Sequence, residues 1–122
     1  MALIYKIAPA ALWRKAQDRG RFEGTPADIA DGYIHFSTAD QAKTTAAKYF
    51  EGQDDLLLIA VDAVRLGEAL RFEPSRNGAL FPHLYADLPF DAVVFAKPLQ
   101  LLPDGQHDFT GLLGTSDMPE RG

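Results

Sequence analysis

Six consecutive apolar residues, Leu56-Leu57-Leu58-Ile59-Ala60-Val61, stand between Asp55 and Asp62. A run of strand length without alternation fits a strand covered on both faces, since a half-exposed strand would put every second residue in water. The rest of the chain must supply both covering layers. Clear helical spacing occurs in two stretches, 9–19 and 38–50. Parallel strands need a crossover for each pair, usually a helix, so two helices are too few for a doubly wound sheet. The expected fold class is α+β: small, mostly antiparallel, split sheets with two main helices.

The remaining elements follow from local signals. Leu3 to Ile7 is an opening strand interrupted by Lys6, which reads as a solvent-facing lysine on an edge strand. In the first helix Ala11, Leu12, Lys15, Ala16 and Arg19 recur near helical spacing, with Pro9 in the first turn and Gly20 after the last. Trp13, the only tryptophan, reads as a packing residue, with a ligand platform as the alternative. Residues 20–32 read as a loop with one helical turn, where Thr25-Pro26-Ala27-Asp28 supplies a cap, an N1 proline and an acidic N3. This loop is either a wall over the residues that follow it or a simple connection.

Tyr33 to Phe36 then forms a short strand, and Ser37 with Asp40 three positions on makes a capping-box pattern for the second helix. That helix carries Ala42, Thr45, Ala46, Tyr49 and Phe50 on one stripe. Past the central run, 69–73 is a strand with Leu70 and Phe72 on one face and Arg71 and Glu73 on the other. Pro74 to Gly78 is a turn, 80–85 is an irregular strand around Pro82, and 92–102 is the last strand. The expected domain is 1–113, with 114–122 as a flexible tail.

Composition excludes several functions. Residues 1–50 carry seven Lys/Arg against five Asp/Glu, and residues 51–122 carry five against twelve, a net charge of −5. A chain this acidic, with no basic run, is a poor polyanion binder, although a single small anion needs only two or three local donors. Zero cysteines exclude thiol catalysis, disulfides and thiolate zinc sites. No membrane-length apolar run or signal-peptide layout is present, so a cytoplasmic address is expected. His35, His83 and His107 are too scattered for a metal motif. No phosphate loop or nucleophile elbow occurs.

What remains is one polar strand face. Alternation sends Ile34 and Phe36 to the core and Tyr33, His35 and Ser37 to the opposite side, beside the start of a helix. That combination suits an anionic or sugar-phosphate ligand. Lys6, Arg71, Glu73, Arg76 and Asn77 are candidate neighbours, and His83 reads as a hydrogen-bonded structural residue. The residues alone also allow that Ser37 is only a cap and His35 only part of a polar cluster.

The segments Ile4-Tyr5-Lys6-Ile7, Asp31-Gly32-Tyr33-Ile34-His35-Phe36-Ser37-Thr38 and Phe81-Pro82-His83-Leu84-Tyr85 resemble the hallmarks of a bacterial family, domain of unknown function 952, over about residues 3–97. The order of motifs also resembles the catalytic lobe of the RNA 2′-phosphotransferases, which have the ADP-ribosyltransferase-like fold and use NAD. Tyr33 to Ser37 is similar to their His-Val-His-Leu-Ser strand, Ile59 to Ala63 to their buried strand ending in Val-Asp-Ala, and Phe72 to Gly78 to their Phe-Tyr-x-Ser-x-Asn-Gly.

The chain departs from that pattern at three places. Tyr5-Lys6-Ile7-Ala8 stands where the related families have Tyr-His-Gly-Thr on the NAD-holding strand, Tyr33 replaces a histidine, and Glu73 replaces a tyrosine. The resemblance implies a cleft for NAD or an ADP-ribosyl group and chemistry at its glycosidic bond. His35 and Glu73 would then be catalytic, Glu73 facing positive charge on the ribose. Lys6, Tyr33, Ser37, Arg71, Arg76 and Asn77 would hold the ligand. The alternative is a non-catalytic module that binds a small metabolite or a peptide in the same cleft.

Overall fold

The apolar run is the centre of the larger of two antiparallel sheets. The computed structural model describes residues 2–75 and 78–113. Arg76, Asn77 and the expected tail 114–122 lie outside the described residues. In chain order the elements are β1 (Leu3–Pro9), α1 (Ala10–Arg19), α2 (Pro26–Asp31), β2 (Ile34–His35), α3 (Ala39–Tyr49) and β3 (Leu56–Asp62). A 3-10 segment (Ala63–Ala69) leads to β4 (Leu70–Pro74), β5 (Leu80–Leu84), β6 (Val93–Leu101) and β7 (His107–Asp108). The sheets have strand orders β1-β3-β6-β7 and β2-β5-β4, and every pairing is antiparallel. The α+β expectation of split antiparallel sheets with two main helices agrees with this topology, and both helix ranges agree to within a residue.

β3 is covered on both faces, as its lack of alternation requires. Leu56, Leu58 and Ala60 pack with Ala42 and Ala46 of α3, Leu99 and Phe109. Ile59 and Val61 meet Trp13, Phe22, Ile34, Phe36, Leu84 and Leu88 between the two sheets. Each fully buried aliphatic side chain of this kind contributes about 1.5–3 kcal/mol. β1 divides the same way: Leu3, Tyr5 and Ile7 join the first cluster, Ile4 and Ala8 the second. Lys6 shares the alternation of Ile4 and Ala8 and is only 6% exposed. The reading of Lys6 as a solvent-facing edge lysine is therefore corrected, because its face of β1 looks into the core between the sheets.

The sheets meet at one backbone bridge. The Tyr5 N–H donates to the Ser37 carbonyl and the Ser37 N–H to the Tyr5 carbonyl, both at 2.8 Å, while the Phe36 N–H donates to the Pro82 carbonyl at 2.9 Å. Residues 34–37 thus cross from β5 of one sheet to β1 of the other. This displaces the expected cap. Ser37 is buried, and its hydroxyl pairs with Thr45 Oγ1 at 2.9 Å. Thr38 is the N-cap residue instead, its N–H donating to Gln41 Oε1 at 3.0 Å. With the backbone of Ser37 committed to Tyr5, the helix begins one residue later. Among the described residues no helix is long and apolar enough to cross a membrane.

Trp13 is 3% exposed and meets Phe22 and Phe90 edge-on, with ring centroids 5.1 and 5.4 Å away. Trp13→Ala is expected to cost about 3–5 kcal/mol, read as a lower urea midpoint at unchanged m-value. A loss below about 1 kcal/mol would contradict this account of the core.

Candidate functional site

The site is built from a buried charge cluster and an aromatic face in front of it. α2 begins as its sequence requires: the Thr25 N–H donates to Asp28 Oδ2 at 2.8 Å, and the Asp28 N–H to Thr25 Oγ1 at 3.3 Å. The carboxylate of Asp28 does more than cap. Lys6 Nζ lies 2.7 Å from Oδ2 and 3.0 Å from Oδ1, and the backbone N–H of His35 donates to Oδ1 at 3.2 Å. His35 Nδ1 lies 2.5 Å from Oδ1, and His35 Nε2 lies 3.0 Å from Asp31 Oδ2. The side chains of Lys6 and Asp28 are 7% and 1% exposed.

Burial alone would raise the Asp28 carboxyl. The His35 hydrogen bond, the Lys6 charge and hydrogen bond, and the Thr25 N–H outweigh it and hold Asp28 well below the usual carboxylate range. Burial pulls the Lys6 ammonium down from its ordinary value, against the opposing pull of Asp28. Gly24 makes room for this carboxylate. A Cβ there would lie 2.6 Å from Asp28 Cβ, and its φ of +113° is one that side-chain-bearing residues rarely adopt.

The second part stands on one face of the smaller sheet. Register places His83 opposite both His35 and Arg71. Tyr33 stacks on His83 at 4.1 Å and 26°, and its ring also lies 4.7 Å from His35 and 5.2 Å from Tyr85. Glu73 Oε1 accepts from the Tyr85 hydroxyl at 2.7 Å and faces His83 Nδ1 at 2.8 Å. The Arg71 guanidinium lies 5.2 Å from the centre of the Tyr85 ring. The hydrogen bonds from Tyr85 and then His83 lower the Glu73 carboxyl, and Glu73 in turn raises the Tyr85 phenol. A recess of about 240 Å³ lies beside this face, lined by Tyr33, Tyr85, Ile29, Glu23, Asp28 and Asp87 among others. Arg21 joins Glu23 and Asp87, at 2.9 Å from each.

Of the residues nominated from sequence, Tyr33, His35, Arg71 and Glu73 come together here. Ser37 lies under α3 against Thr45, and the Lys6 ammonium is enclosed behind the face with Asp28. Arg76 and Asn77 lie outside the described residues. Sequence reasoning missed Asp28, Asp31 and Tyr85 as members of the cluster. Asp28 was visible only as a helix-start acid. His83 and Tyr85 repeat the spacing of Tyr33 and His35, a signal that becomes useful once β2 and β5 are known to pair. Among the described residues no group of histidine and carboxylate side chains is arranged to hold a metal ion.

The family described as "Protein of unknown function (DUF952)" matches residues 7–96. The chain belongs to this family. The DUF952 chain is similar to protein CC0527 from Caulobacter crescentus, seen by crystallography at 50% identity and a TM-score of 0.85, covering 88% of this chain and 95% of that one. The solution NMR structure of CC0527 is similar at 50% identity and a TM-score of 0.80, covering 89% and 94%. No curated protein matches the chain.

Two predictions follow from the cluster of this DUF952 chain. The folded Asp28 carboxyl lies below its unfolded value, so its stabilisation is full above the ordinary carboxylate range and is withdrawn as pH falls from there through the folded value. Asp28→Asn is expected to cost about 3–5 kcal/mol at neutral pH by stranding the Lys6 charge. It should also flatten the acid limb of a stability-against-pH series, and an unchanged limb would show that Asp28 does not carry it. Gly24→Ala is expected to lose more than about 1 kcal/mol. The amide shifts of Thr25, Asp28 and His35 should move with it; shifts confined to residue 24 itself would refute the close approach.

Proposed function

We propose that the face carrying Tyr33, Arg71, Glu73 and Tyr85 binds a nucleotide-type ligand of the NAD or ADP-ribose kind and acts at its glycosidic bond. The observation that carries this reading is the state of Glu73. One of its oxygens holds Tyr85 and His83, and among the described residues its other oxygen carries no hydrogen bond. A carboxylate so held stays ionised and suits a sugar on which positive charge develops as the glycosidic bond breaks. The Tyr33 and Tyr85 rings at the recess suit a base or nicotinamide ring. Arg71 suits a phosphate oxygen.

The split antiparallel sheets and the order of the motifs support likeness to the ADP-ribosyltransferase-like lobe of RNA 2′-phosphotransferases. That support is analogy of fold, and the residues of the site carry the functional argument. In this reading Lys6 is the counter-ion of Asp28, not a phosphate ligand. His35, with a carboxylate at each ring nitrogen, fixes α2 against β2 beside Tyr33. RNA is disfavoured by the acidic balance of the chain. One observation favours the second reading, a module for a basic metabolite or peptide: the recess is lined by Glu23 and Asp87, two carboxylates that share the Arg21 guanidinium, and the excess negative charge repels phosphate.

Titration with NAD and with ADP-ribose, followed by amide shifts, separates the two. Saturable shifts at Tyr33, Arg71, Glu73 and Tyr85 are expected in the micromolar to millimolar range, roughly −8 to −4 kcal/mol. Arg71→Ala should weaken binding more at low salt than at high salt. Amides unmoved by both ligands at millimolar concentration would discard the nucleotide reading in favour of the basic-ligand module.

A further inference from the structure

We propose that His83 is the general base of this site and that Glu73 is its positioning residue. The inference rests on the nucleotide reading and adds the group that activates the attacking oxygen. His83 Nδ1 lies 2.8 Å from Glu73 Oε1. An ionised carboxylate only accepts, so the proton of that bond sits on Nδ1, and a neutral imidazole then keeps its lone pair at Nε2. Among the described residues nothing hydrogen-bonds His83 Nε2.

That nitrogen is enclosed by its neighbours but not sealed. The His83 side chain is 6% exposed, and the one fully enclosed, unpartnered side-chain nitrogen among the described residues belongs to His107. His107 is the structural contrast: its Nε2 lies 2.7 Å from the Gln53 carbonyl, an acceptor only, so the nitrogen left bare is Nδ1, which is fully enclosed. His35 differs too, since both of its ring nitrogens face carboxylates. Of the three histidines, only His83 combines an orienting carboxylate, an unpartnered ring nitrogen that is not fully sealed and contact with Tyr33, a ring that lines the recess. A carboxylate that fixes the imidazole and leaves the far nitrogen to take a proton is the arrangement general-base catalysis requires.

The step balances without a further reagent. A water molecule, or an acceptor hydroxyl, forms a bond from its oxygen to the anomeric carbon and gives its proton to Nε2. The carbon–nitrogen bond breaks, and its electron pair leaves with the nicotinamide nitrogen, whose positive charge it neutralises. The second oxygen of Glu73 faces the sugar while the first holds His83.

The experiment uses the full chain. A long-range proton–nitrogen spectrum of the imidazoles should show His83 protonated at Nδ1 and bare at Nε2, and Glu73→Ala should shift that balance. In the presence of NAD, nicotinamide release by the unaltered chain should fall about 10²–10⁴-fold in His83→Gln, with the NAD-induced amide shifts retained. Glu73→Ala, at a half-exposed strand position, provides a second variant should His83→Gln fail to fold, and its release should fall as well. A proton found on Nε2, or NAD bound with release absent or equal in the variants, overturns the assignment of His83 alone. Amides that NAD does not move overturn the nucleotide reading, and the base assignment falls with it.

Discussion

The contact between Lys6 and Asp28 is the constraint on which the rest of the arrangement depends. Strand β1 presents alternate residues to the core between the sheets, and at the Lys6 position that core receives an ammonium in place of an aliphatic side chain. A charge so placed is costly unless it is paired and hydrogen-bonded. Asp28 comes from α2, a six-residue helix whose start is fixed by Thr25 and Pro26, and Gly24 lets the chain approach it closely. The pair is a weak source of net stability, because desolvation offsets most of its attraction. Its consequence is positional. An apolar residue at Lys6 would fill the same space without specifying where α2 must lie.

The constraint then passes to the aromatic face. Asp28 also takes the backbone N–H and the ring of His35, so β1, α2 and β2 converge on one carboxylate. His35 carries Tyr33 beside it, and Tyr33 lies against His83 and Tyr85 of the neighbouring strand and the residue that follows it. Each ring contact of this kind adds about 0.5–1.5 kcal/mol beyond buried area, but the more important effect is rigidity. A stack held from behind by an ion pair and from the side by Glu73 has few rotamers left to choose. That is the preorganisation a binding face needs if ordering its side chains is not to consume the affinity.

The fold was legible because its strongest signals were local and periodic. Leu56 to Val61 announces a doubly covered strand, Thr25-Pro26-Ala27-Asp28 a helix start, and the scarcity of helices an antiparallel topology. The alternation of residues 33–36 correctly separated Ile34 and Phe36, both buried, from Tyr33 and His35, which are partly exposed. The errors concern partners far away in sequence. Lys6 could be placed only by knowing that its face of β1 looks toward α2, and the role of Ser37 depended on its bridge to Tyr5 across the split. His83 was read correctly as hydrogen-bonded, yet the partner that gives its ring chemical meaning, Glu73, lies ten residues away on a strand whose register no local pattern fixes.

Two carboxylates at the site resemble each other in sequence and differ in what they can do. Asp28 is surrounded by donors on both oxygens and enclosed, so a ligand could reach it only by displacing the partners that hold the fold. Glu73 is held through one oxygen at a half-exposed strand position, and among the described residues its other oxygen carries no hydrogen bond. Asp31, exposed at the end of α2 and paired with His35, is intermediate. In the proposed reading, chemistry at this face belongs to β4 and β5, where Glu73, Arg71 and His83 meet. The α2 side serves as the buttress that keeps Tyr33 in front of them.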